Sequence, residues 1–278
     1  MSSLYMRFPG NKAKALTLSY DDGVEQDRRL ISILDKHGIK CTFNINSGLF
    51  SPEGTVFEKG QIHRRMTEKD AVALYKKSGH EVAVHGLTHP FLEQLPTNIA
   101  AHEIIQDRNN LEQLFDTIIR GMAYPFGTFS DDVVEILKAS GIVYSRTVMD
   151  TADFRLPTDW LRLPATCHHN HPELNALTER FTTQSPMSAP WLFYLWGHSY
   201  EFEADDNWNV IEEFSKRIGG RADIWYATNI EIFDYMDAYH RLIFRVDASM
   251  VYNPTALTLY FAYDNQSYQI EPGATLRL

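Results

Sequence analysis

The sequence predicts an α/β fold, a distorted (β/α)7-type barrel with a small C-terminal antiparallel β appendage. From residue 15 to about residue 240, short apolar runs with β character alternate with segments of helical periodicity, as in βα units with a parallel sheet. The runs are almost continuously apolar, which is typical of strands buried on both faces. After Tyr239 the helical segments stop and only short β runs follow. We therefore assign residues 1–240 to the barrel and residues 241–278 to the appendage.

The strands of the barrel are predicted where apolar and β-branched residues follow one another in short runs. These runs are 15–20, 39–45, 81–84, 121–124, 142–148, 191–196 and 223–227. Helical periodicity occupies the segments 25–37, 67–79, 97–115, 130–141, 173–181, 208–218 and 229–239. Several helices carry end signals, because Gly38 follows the first, Thr67 and Ser130 precede acidic first turns, and Asn229 is the expected cap of the last.

The appendage is predicted from β runs at 241–247, 256–262, 267–270 and 274–278. Turn signals separate them at Asn253-Pro254, Asp264-Asn265 and Pro272-Gly273. The region is too short for an independent domain, so we expect it to pack on the barrel.

The composition excludes several classes of partner. The 278 residues carry a net charge of -10, so the chain has no excess of basic side chains to neutralise the phosphates of a nucleic acid. The chain has no leader-like opening and no apolar run of about 18 residues. We therefore expect a cytoplasmic protein without a membrane partner, or a secreted one if the given chain lacks a leader. Cys41 and Cys167 are expected to be reduced and buried, and the oligomeric state is left open.

Two clusters of metal-ligating side chains follow predicted strands. Asp21 and Asp22 come at the end of the first strand, and His85 and His89 come directly after the third. The carboxyl ends of strands are where α/β folds gather ligands and catalytic groups. One carboxylate with two imidazoles is a common catalytic zinc set, which leaves the second carboxylate free to act as a base. Successive strand residues face opposite ways, so the aspartates can divide these roles; an ordinary Asp-Gly turn and surface histidines are the alternatives.

Four segments together carry a family resemblance. Ser19–Gly23 (Ser-Tyr-Asp-Asp-Gly) resembles the Thr-Phe-Asp-Asp-Gly signature of the polysaccharide deacetylases, the NodB-homology group of carbohydrate esterase family 4. His85–His89 resembles the His-(Ser/Thr)-x-x-His segment of that family, and Ala123–Gly127 resembles its Arg-x-Pro-(Tyr/Phe)-Gly segment. Leu195–His198 resembles the late Leu-x-His segment, with one extra residue. The matches occur in family order across residues 15–200.

The resemblance implies a metal-dependent carbohydrate deacetylase. Asp22, His85 and His89 would hold a divalent metal, usually zinc in the family, with Co2+, Ni2+ or Mn2+ as alternatives. Asp21 would be the general base on the metal-bound water, and His198 would be the general acid for the departing amine or hydroxyl.

The resemblance also implies the substrate side of the site. The backbone N–H near Phe126 would help to hold the oxyanion. Tyr124 and Trp196 are assigned to the substrate side, Trp196 because it lies two residues before His198, and packing in the barrel core is the alternative for Trp196. The substrate would be an N-acetylated or O-acetylated sugar, oligosaccharide or polysaccharide. A cyclic amide hydrolase of the same fold, similar to allantoinases, and a catalytically weak carbohydrate-binding relative are the alternatives.

The chain departs from the family pattern at two supporting positions. The family arginine that steadies the base aligns with Ala123, and Arg146 on the next strand is the candidate to replace it. The family motif Asp-x-x-Asp-Trp, whose carboxylate supports the acid histidine, has no plain counterpart; the candidates are Asp150, Asp153 and Asp159-Trp160. The segment 167–171 is dense in side chains that can bind a metal. Three alternatives stay open for His168, His169 and His171: a second metal site, a substrate-facing rim and a packing element.

Overall fold

The structure, a computed structural model, describes residues 3–278 and is organised around one sheet of parallel strands. With strands numbered along the chain, β1 (Leu4–Arg7) lies outside this sheet. The strands of the sheet are β2 (Lys14–Asp21), β3 (Thr42–Ile45), β4 (Glu81–Val84), β5 (Gly121–Ala123), β6 (Tyr144–Asp150), β7 (Leu163–Ala165), β8 (Cys167–His168), β9 (Trp191–Gly197) and β10 (Ile224–Tyr226). β2 is central, with β9 along one edge and β3 and β10 sharing the other.

A short segment closes this sheet into a barrel. Its first half, β7, pairs with β6, and its second half, β8, pairs with β9, so residues 163–168 bridge two sheet edges. With β7 and β8 counted as one, the ring has seven strands, and the predicted distorted barrel is confirmed. The sequence analysis found no strand here because β7 and β8 are only 3 and 2 residues long.

Helices connect the barrel strands along the chain. They are α1 (Asp27–Lys36), α2 (Glu68–Ser78), α3 (Thr97–Phe115), α4 (Asp131–Ala139), α5 (Leu174–Thr183), α6 (Ser199–Ala204), α7 (Asn209–Ile218) and α8 (Asn229–His240). Thr67 caps α2 and Ser130 caps α4 as predicted, because each hydroxyl accepts a hydrogen bond from a first-turn backbone N–H. The sequence analysis did not find α6, since six residues are too few for a helical period to be recognised.

The N-terminus of α8 differs from the prediction. Its cap is Thr228, which forms a capping box with Glu231. The prediction of Asn229 as the cap is wrong, because that side chain points into the barrel. There it accepts a hydrogen bond from Thr17 and donates one to Tyr194, each at 2.7 Å.

The hydrophobic core extends from the barrel into the layer beneath the helices. Every residue of β2 is buried. Leu16 and Leu18 of this strand pack in one cluster with residues of neighbouring strands and helices, such as Phe43, Leu34 and Ile104. Each such side chain contributes about 1.5–3 kcal/mol relative to an exposed one. This core fixes the positions of the strand ends that carry the polar residues described below.

The appendage consists of two antiparallel sheets. β11 (Ile243–Phe244), β12 (Met250–Tyr252) and β15 (Thr275–Arg277) form one, and β13 (Leu259–Tyr263) with β14 (Gln266–Ile270) forms the other together with β1. Its apolar residues share a cluster with α8, as Phe261 and Val251 do with Tyr235 and Met236. The apolar side chains of the appendage therefore pack against α8. The pairing of β1 with β13 was not predicted, and the division into domains at residue 240 stays a prediction.

Two further expectations concern the whole chain. Cys41 and Cys167 are both free and buried, which confirms their prediction. Within residues 3–278, no helix combines the length and the apolar character that crossing a membrane requires.

Candidate active site

The two aspartates lie where β2 ends. Asp21 is the last residue of the strand, and Asp22 takes a left-handed conformation with a φ of 84°. Because of this turn, both carboxylates face the ring of His85: Asp21 Oδ2 lies 3.8 Å and Asp22 Oδ1 lies 4.0 Å from its Nε2. The alternation of faces expected for a strand does not extend to Asp22. Gly23, also at positive φ, continues the turn.

The two histidines reach the same point from the loop after β4. His85 lies directly after the strand, and its Nδ1–H donates to the backbone carbonyl of Ala123 at 2.8 Å. Its Nε2 therefore carries the free lone pair and faces the aspartates. His89 Nε2 lies 3.9 Å from Asp22 Oδ1, and the two imidazole rings are 4.7 Å apart. The chain thus brings together the three residues that the resemblance implies as metal ligands.

Helix α3 holds the loop that carries these histidines. Asp107 accepts hydrogen bonds from the backbone N–H of His85 at 3.0 Å and of Ser47 at 2.7 Å. Glu103 accepts from both the backbone N–H and the hydroxyl of Thr88 at 2.8 Å. Burial raises the pKa of Asp107 to about 7 despite these donors. Two carboxylates on one helix face therefore fix the backbone between the histidines.

The donor set fits a divalent cation. One oxygen of Asp22 and one nitrogen each of His85 and His89 lie within 4.8 Å of one another, which is a spacing that one ion can span. Nε2 of His85 is buried and has no hydrogen-bond partner among residues 3–278. Burial, with the nearby His85, lowers the pKa of His89 to about 4, and burial also lowers the pKa of His85. Both rings are therefore neutral at physiological pH, which is the form that ligates metals.

Asp22 has two basic neighbours that the sequence analysis did not single out. Arg65 donates to Asp22 Oδ1 at 3.0 Å and to Asn46 Oδ1 at 2.8 Å, and His63 Nε2 donates to Asp22 Oδ2 at 3.1 Å. Burial acts to raise the pKa of Asp22, but the hydrogen bond from His63 and the charge of Arg65 outweigh it and lower this pKa. The basic run of residues 63–65 in an acidic chain was the available signal.

Asp21 is held by an arginine from β6, a strand that is not a neighbour of β2 in the sheet. Arg146 of β6 is buried, and its Nη2 donates to Asp21 Oδ2; Asn44 Nδ2 donates to Asp21 Oδ1 at 2.7 Å. Burial acts to raise the pKa of Asp21, but Arg146 outweighs it and lowers this pKa. In the sheet, Arg146 is the register partner of Ala123, the position at which the family carries its arginine. The guanidinium of Arg146 therefore enters the site from β6, the strand next to the one that carries Ala123.

His198 is a third histidine close to Asp21, in addition to His85 and His89. It immediately precedes α6, and its Nε2 lies 3.8 Å from Asp21 Oδ2. The carboxylate beside its Nδ1 is that of Glu201, at 3.3 Å. Burial acts to lower the pKa of His198, but Glu201 and then Asp21 outweigh it, so this pKa lies above its ordinary value. The sequence analysis did not single out Glu201, although its position three residues after His198 was a usable signal.

The candidates for supporting His198 have other partners. Asp150 accepts hydrogen bonds from Trp196 Nε1 at 2.8 Å and from the backbone N–H of His168 at 3.0 Å. Asp153 pairs with Arg155 at 2.5 Å and lies 3.9 Å from Arg180. Asp159 caps the short turn at Trp160 and pairs with Arg162. The structure thus brings Arg146 to the site, but it directs these three carboxylates to partners other than His198.

The residues predicted on the substrate side are exposed to different degrees. Phe126 is 48% exposed, its ring stacks on Phe91 with centroids 3.9 Å apart, and it lies 4.5 Å from the ring of His89. Trp196 is largely buried, with the guanidinium of Arg146 4.5 Å from its ring centroid. Tyr124 is buried, and its hydroxyl donates to a backbone carbonyl. Of these three residues, Phe126 is the one on the open rim.

Fold and site together define a class of protein: a distorted parallel barrel with an Asp-His-His metal-type donor set at the carboxyl ends of its strands. The sequence profile described as polysaccharide deacetylase matches residues 9–145, which include Asp21, Asp22, His85 and His89. Residues 9–145, just under half of the chain, belong to the polysaccharide deacetylase family.

Individual relatives agree with this membership. A chitooligosaccharide deacetylase from Sinorhizobium fredii is 24% identical over 156 residues, which cover 55% of this chain and 63% of that protein. A candidate polysaccharide deacetylase from Mycobacterium smegmatis has a similar fold, with a TM-score of 0.58, 17% identity, and coverage of 85% of this chain and 94% of that chain. A family 4 carbohydrate esterase from Streptomyces lividans, solved with acetate, has a TM-score of 0.51 at 13% identity, covering 78% and 92%.

The matches to curated relatives cover only part of the length of each protein. The chain spans about half the length of the curated relatives that it matches, at 44% and 63%. The structural matches show the shared fold. They include a family pseudoenzyme from Bacillus anthracis, with a TM-score of 0.48, 20% identity, and coverage of 83% of this chain and 68% of that chain. Because the curated relatives are matched at low identity and over part of their length, activity and substrate are argued from the site.

Proposed function

We propose that this chain is a metal-dependent deacetylase that hydrolyses N-acetyl or O-acetyl groups of a carbohydrate. The observation that carries the proposal is the arrangement around Asp21. Oδ2 of this ionised carboxylate lies 3.8 Å from Nε2 of His85, a member of the metal-type donor set, and 3.8 Å from Nε2 of His198, whose pKa is raised. Hydrolysis of an acetamide needs a base for water and an acid for a poor leaving group, and the site offers one of each.

A divalent cation held by Asp22, His85 and His89 would lower the pKa of water and polarise the acetyl carbonyl. Asp21, which Arg146 keeps ionised, would accept the proton of the attacking water through a lone pair that its two hydrogen bonds leave free. The backbone N–H of Phe126 would donate to the developing oxyanion.

His198 would complete the reaction on the other side. Its raised pKa supports a protonated ring near neutral pH, so Nε2–H can be given to the departing amine or hydroxyl. The acid and the base lie 3.8 Å apart, so both can reach the atoms around one acetyl carbon. The named activity of the chitooligosaccharide deacetylase relative supports a carbohydrate as the substrate class.

The alternative of a non-catalytic carbohydrate-binding relative depended on the absence of the family arginine at Ala123. Arg146, which pairs with Ala123 in the sheet and contacts Asp21, supports the catalytic proposal instead. A cyclic amide hydrolase needs the same base and metal, so substrate assays must separate it from a deacetylase.

Acetate release tests the proposal directly. The purified chain is depleted of metal with a chelator, reloaded with Zn2+, and incubated with an N-acetylated chitooligosaccharide, an O-acetylated xylan and a cyclic amide such as allantoin. We expect acetate release only after reloading, and no opening of the cyclic amide. Zinc-loaded protein that releases no acetate from either carbohydrate would contradict the proposal.

A further inference from the structure

Three imidazoles converge on one carboxylate beside the metal-type site. Nε2 of His168 lies 3.0 Å and Nε2 of His169 lies 3.2 Å from Glu201 Oε2, and Nδ1 of His198 lies 3.3 Å from Oε1. Two of these histidines come from the segment 167–171, to which the proposed function gives no role. The ring nitrogens of His169 and Nδ1 of His198 are buried and make no hydrogen bond within residues 3–278, so the charge of Glu201 is their nearest polar contact.

The tautomer of His168 decides what the cluster does. Its Nδ1 accepts a hydrogen bond from the backbone N–H of Asn170 at 3.1 Å, so the ring proton is on Nε2, the nitrogen that lies 3.0 Å from Glu201. A metal-ligating histidine has the opposite arrangement, in which the second nitrogen donates outward, as Nδ1 of His85 does to a carbonyl. His168 therefore places a protonated nitrogen beside the carboxylate, and not a lone pair that an ion could use.

The carboxylate is held in place from several directions. Glu201 is in the first turn of α6 and also accepts from the backbone N–H of His198 at 3.3 Å. The ring of His169 stacks on Phe202, with centroids 4.1 Å apart, and lies nearly parallel to the ring of Tyr20 at 5.7 Å. Gly197 makes this approach available, because a Cβ there would lie 2.0 Å from Nδ1 of His169. Of the three histidines beside Glu201, His169 is thus the one held in the core.

We infer that Glu201 is the positioning residue for His198, and that His168 and His169 anchor Glu201 in that role. The inference rests on the proposed function, in which His198 is the acid. A carboxylate at Nδ1 selects the tautomer and orientation of the ring, so that Nε2 faces Asp21 and the leaving group. Burial acts to raise the pKa of Glu201, but its contacts with the three histidines lower it, so Glu201 stays ionised.

Substrates with different leaving groups distinguish a positioning role of Glu201 from a purely structural one. An amine or sugar hydroxyl leaves poorly without a proton, whereas the phenolate of para-nitrophenyl acetate leaves without one. Loss of a positioning residue should therefore slow deacetylation of an N-acetylated chitooligosaccharide while hardly changing hydrolysis of para-nitrophenyl acetate. Damage to the fold or to metal binding would slow both reactions alike.

The test compares Glu201→Gln with Glu203→Gln, the same substitution two residues on in α6, where Glu203 pairs with Arg64 at the surface. For Glu201→Gln we expect kcat on the chitooligosaccharide to fall about 10- to 100-fold with little change in KM, and para-nitrophenyl acetate hydrolysis to change less than about twofold. Metal content should stay at the wild-type value. Glu203→Gln should match the wild type on both substrates.

Three outcomes would overturn the inference: equal losses on both substrates, no loss on either, or a second bound Zn2+ that Glu201→Gln removes. Nitrogen NMR of the histidine rings gives a readout that needs no activity. We expect the Nδ1 proton of His198 in the wild type and its loss or exchange broadening in Glu201→Gln. If the wild type releases no acetate, the proposed function fails, and the NMR comparison still decides whether Glu201 orients His198.

Discussion

Two groups of histidines lie close to Asp21. They differ in whether Nδ1, the ring nitrogen that bonds to the surrounding backbone, donates or accepts a hydrogen bond. In the first group, which contains Asp22, His85 and His89, Nδ1 of His85 donates outward to a carbonyl, so its lone pair faces the carboxylates. In the second, His168 accepts outward from a backbone N–H, so its proton faces Glu201. The residue types are the same, but hydrogen bonds from the surrounding backbone prepare one group for a metal and the other for protons.

One histidine of each group shows the contrast in charge state. His89 has a pKa lowered to about 4, chiefly by burial, so it is neutral and able to ligate at physiological pH. His198 is also buried, but Glu201 and Asp21 raise its pKa above the ordinary value. Glu201 Oε1 lies 3.3 Å from His198, whereas Asp22 Oδ1 lies 3.9 Å from His89.

The largest effect should follow from removing a ligand of the first group. His85→Ala deletes a buried donor that Asp22 and His89 alone cannot replace, so we expect loss of most bound metal and most acetate release. Elemental analysis and an acetate assay measure the two losses. His102→Ala, which removes an exposed histidine of α3, is the matched control and should change neither. Full metal content in His85→Ala would contradict the ligand assignment.

Asp21→Asn should separate the metal from the base. The amide keeps the shape of the side chain but cannot accept the proton of water, so the rate should fall about 10²- to 10⁴-fold while metal is retained. The substitution also leaves Arg146 buried without its ion pair, which costs about 3–5 kcal/mol of stability. Rates are therefore expressed per metal-loaded, folded chain. Unchanged kinetics would assign the base elsewhere.

Arg146→Met should shift the pH dependence. In the wild type Arg146 lowers the pKa of Asp21, so the base is already ionised in mildly acidic solution. Without the guanidinium, burial raises this pKa, and activity should be lost at a higher pH as the solution is acidified. We expect the acid limb of the pH–rate profile to move upward by about 1–3 units, with Arg146→Lys between the two. If the acid limb of Arg146→Met stayed at the wild-type pH, Arg146 would not be the group that lowers the pKa of Asp21.

The smallest effect should come from the anchors of Glu201. His168→Leu removes one N–H donor to that carboxylate, and we expect a fall in chitooligosaccharide turnover of about 2- to 10-fold without loss of metal. His168→Gln keeps a donor and should restore most of the rate. If His168→Leu lost metal instead, the second group would be a metal site and the comparison would fail.

Local sequence patterns predicted the parts of the molecule that depend on local chemistry. The βα alternation, the caps at Thr67 and Ser130, and the polar residues at the ends of β2 and β4 all follow from short-range periodicity and capping. Arg146 was found because it lies on the strand that follows Ala123, the position of the family arginine, and the two residues are register partners in the sheet.

The missed features depend on long-range contacts or very short elements. β1 pairs with β13 across almost the whole chain, and the closing strands β7 and β8 are too short to show a period. Glu201 lies in the six-residue α6. Arg65 and His63 reach Asp22 from an irregular loop, and the positive φ of Asp22 has no signal beyond the following glycine.

The location of bound zinc tests the central claim most directly. Crystals of the chain loaded with one equivalent of Zn2+ are measured at the zinc absorption edge, and the anomalous difference density is examined. We predict one peak about 2.0–2.2 Å from an oxygen of Asp22 and Nε2 of His85 and His89. A peak among His168, His198 and Glu201, or no peak between Asp22 and the two histidines, would contradict it.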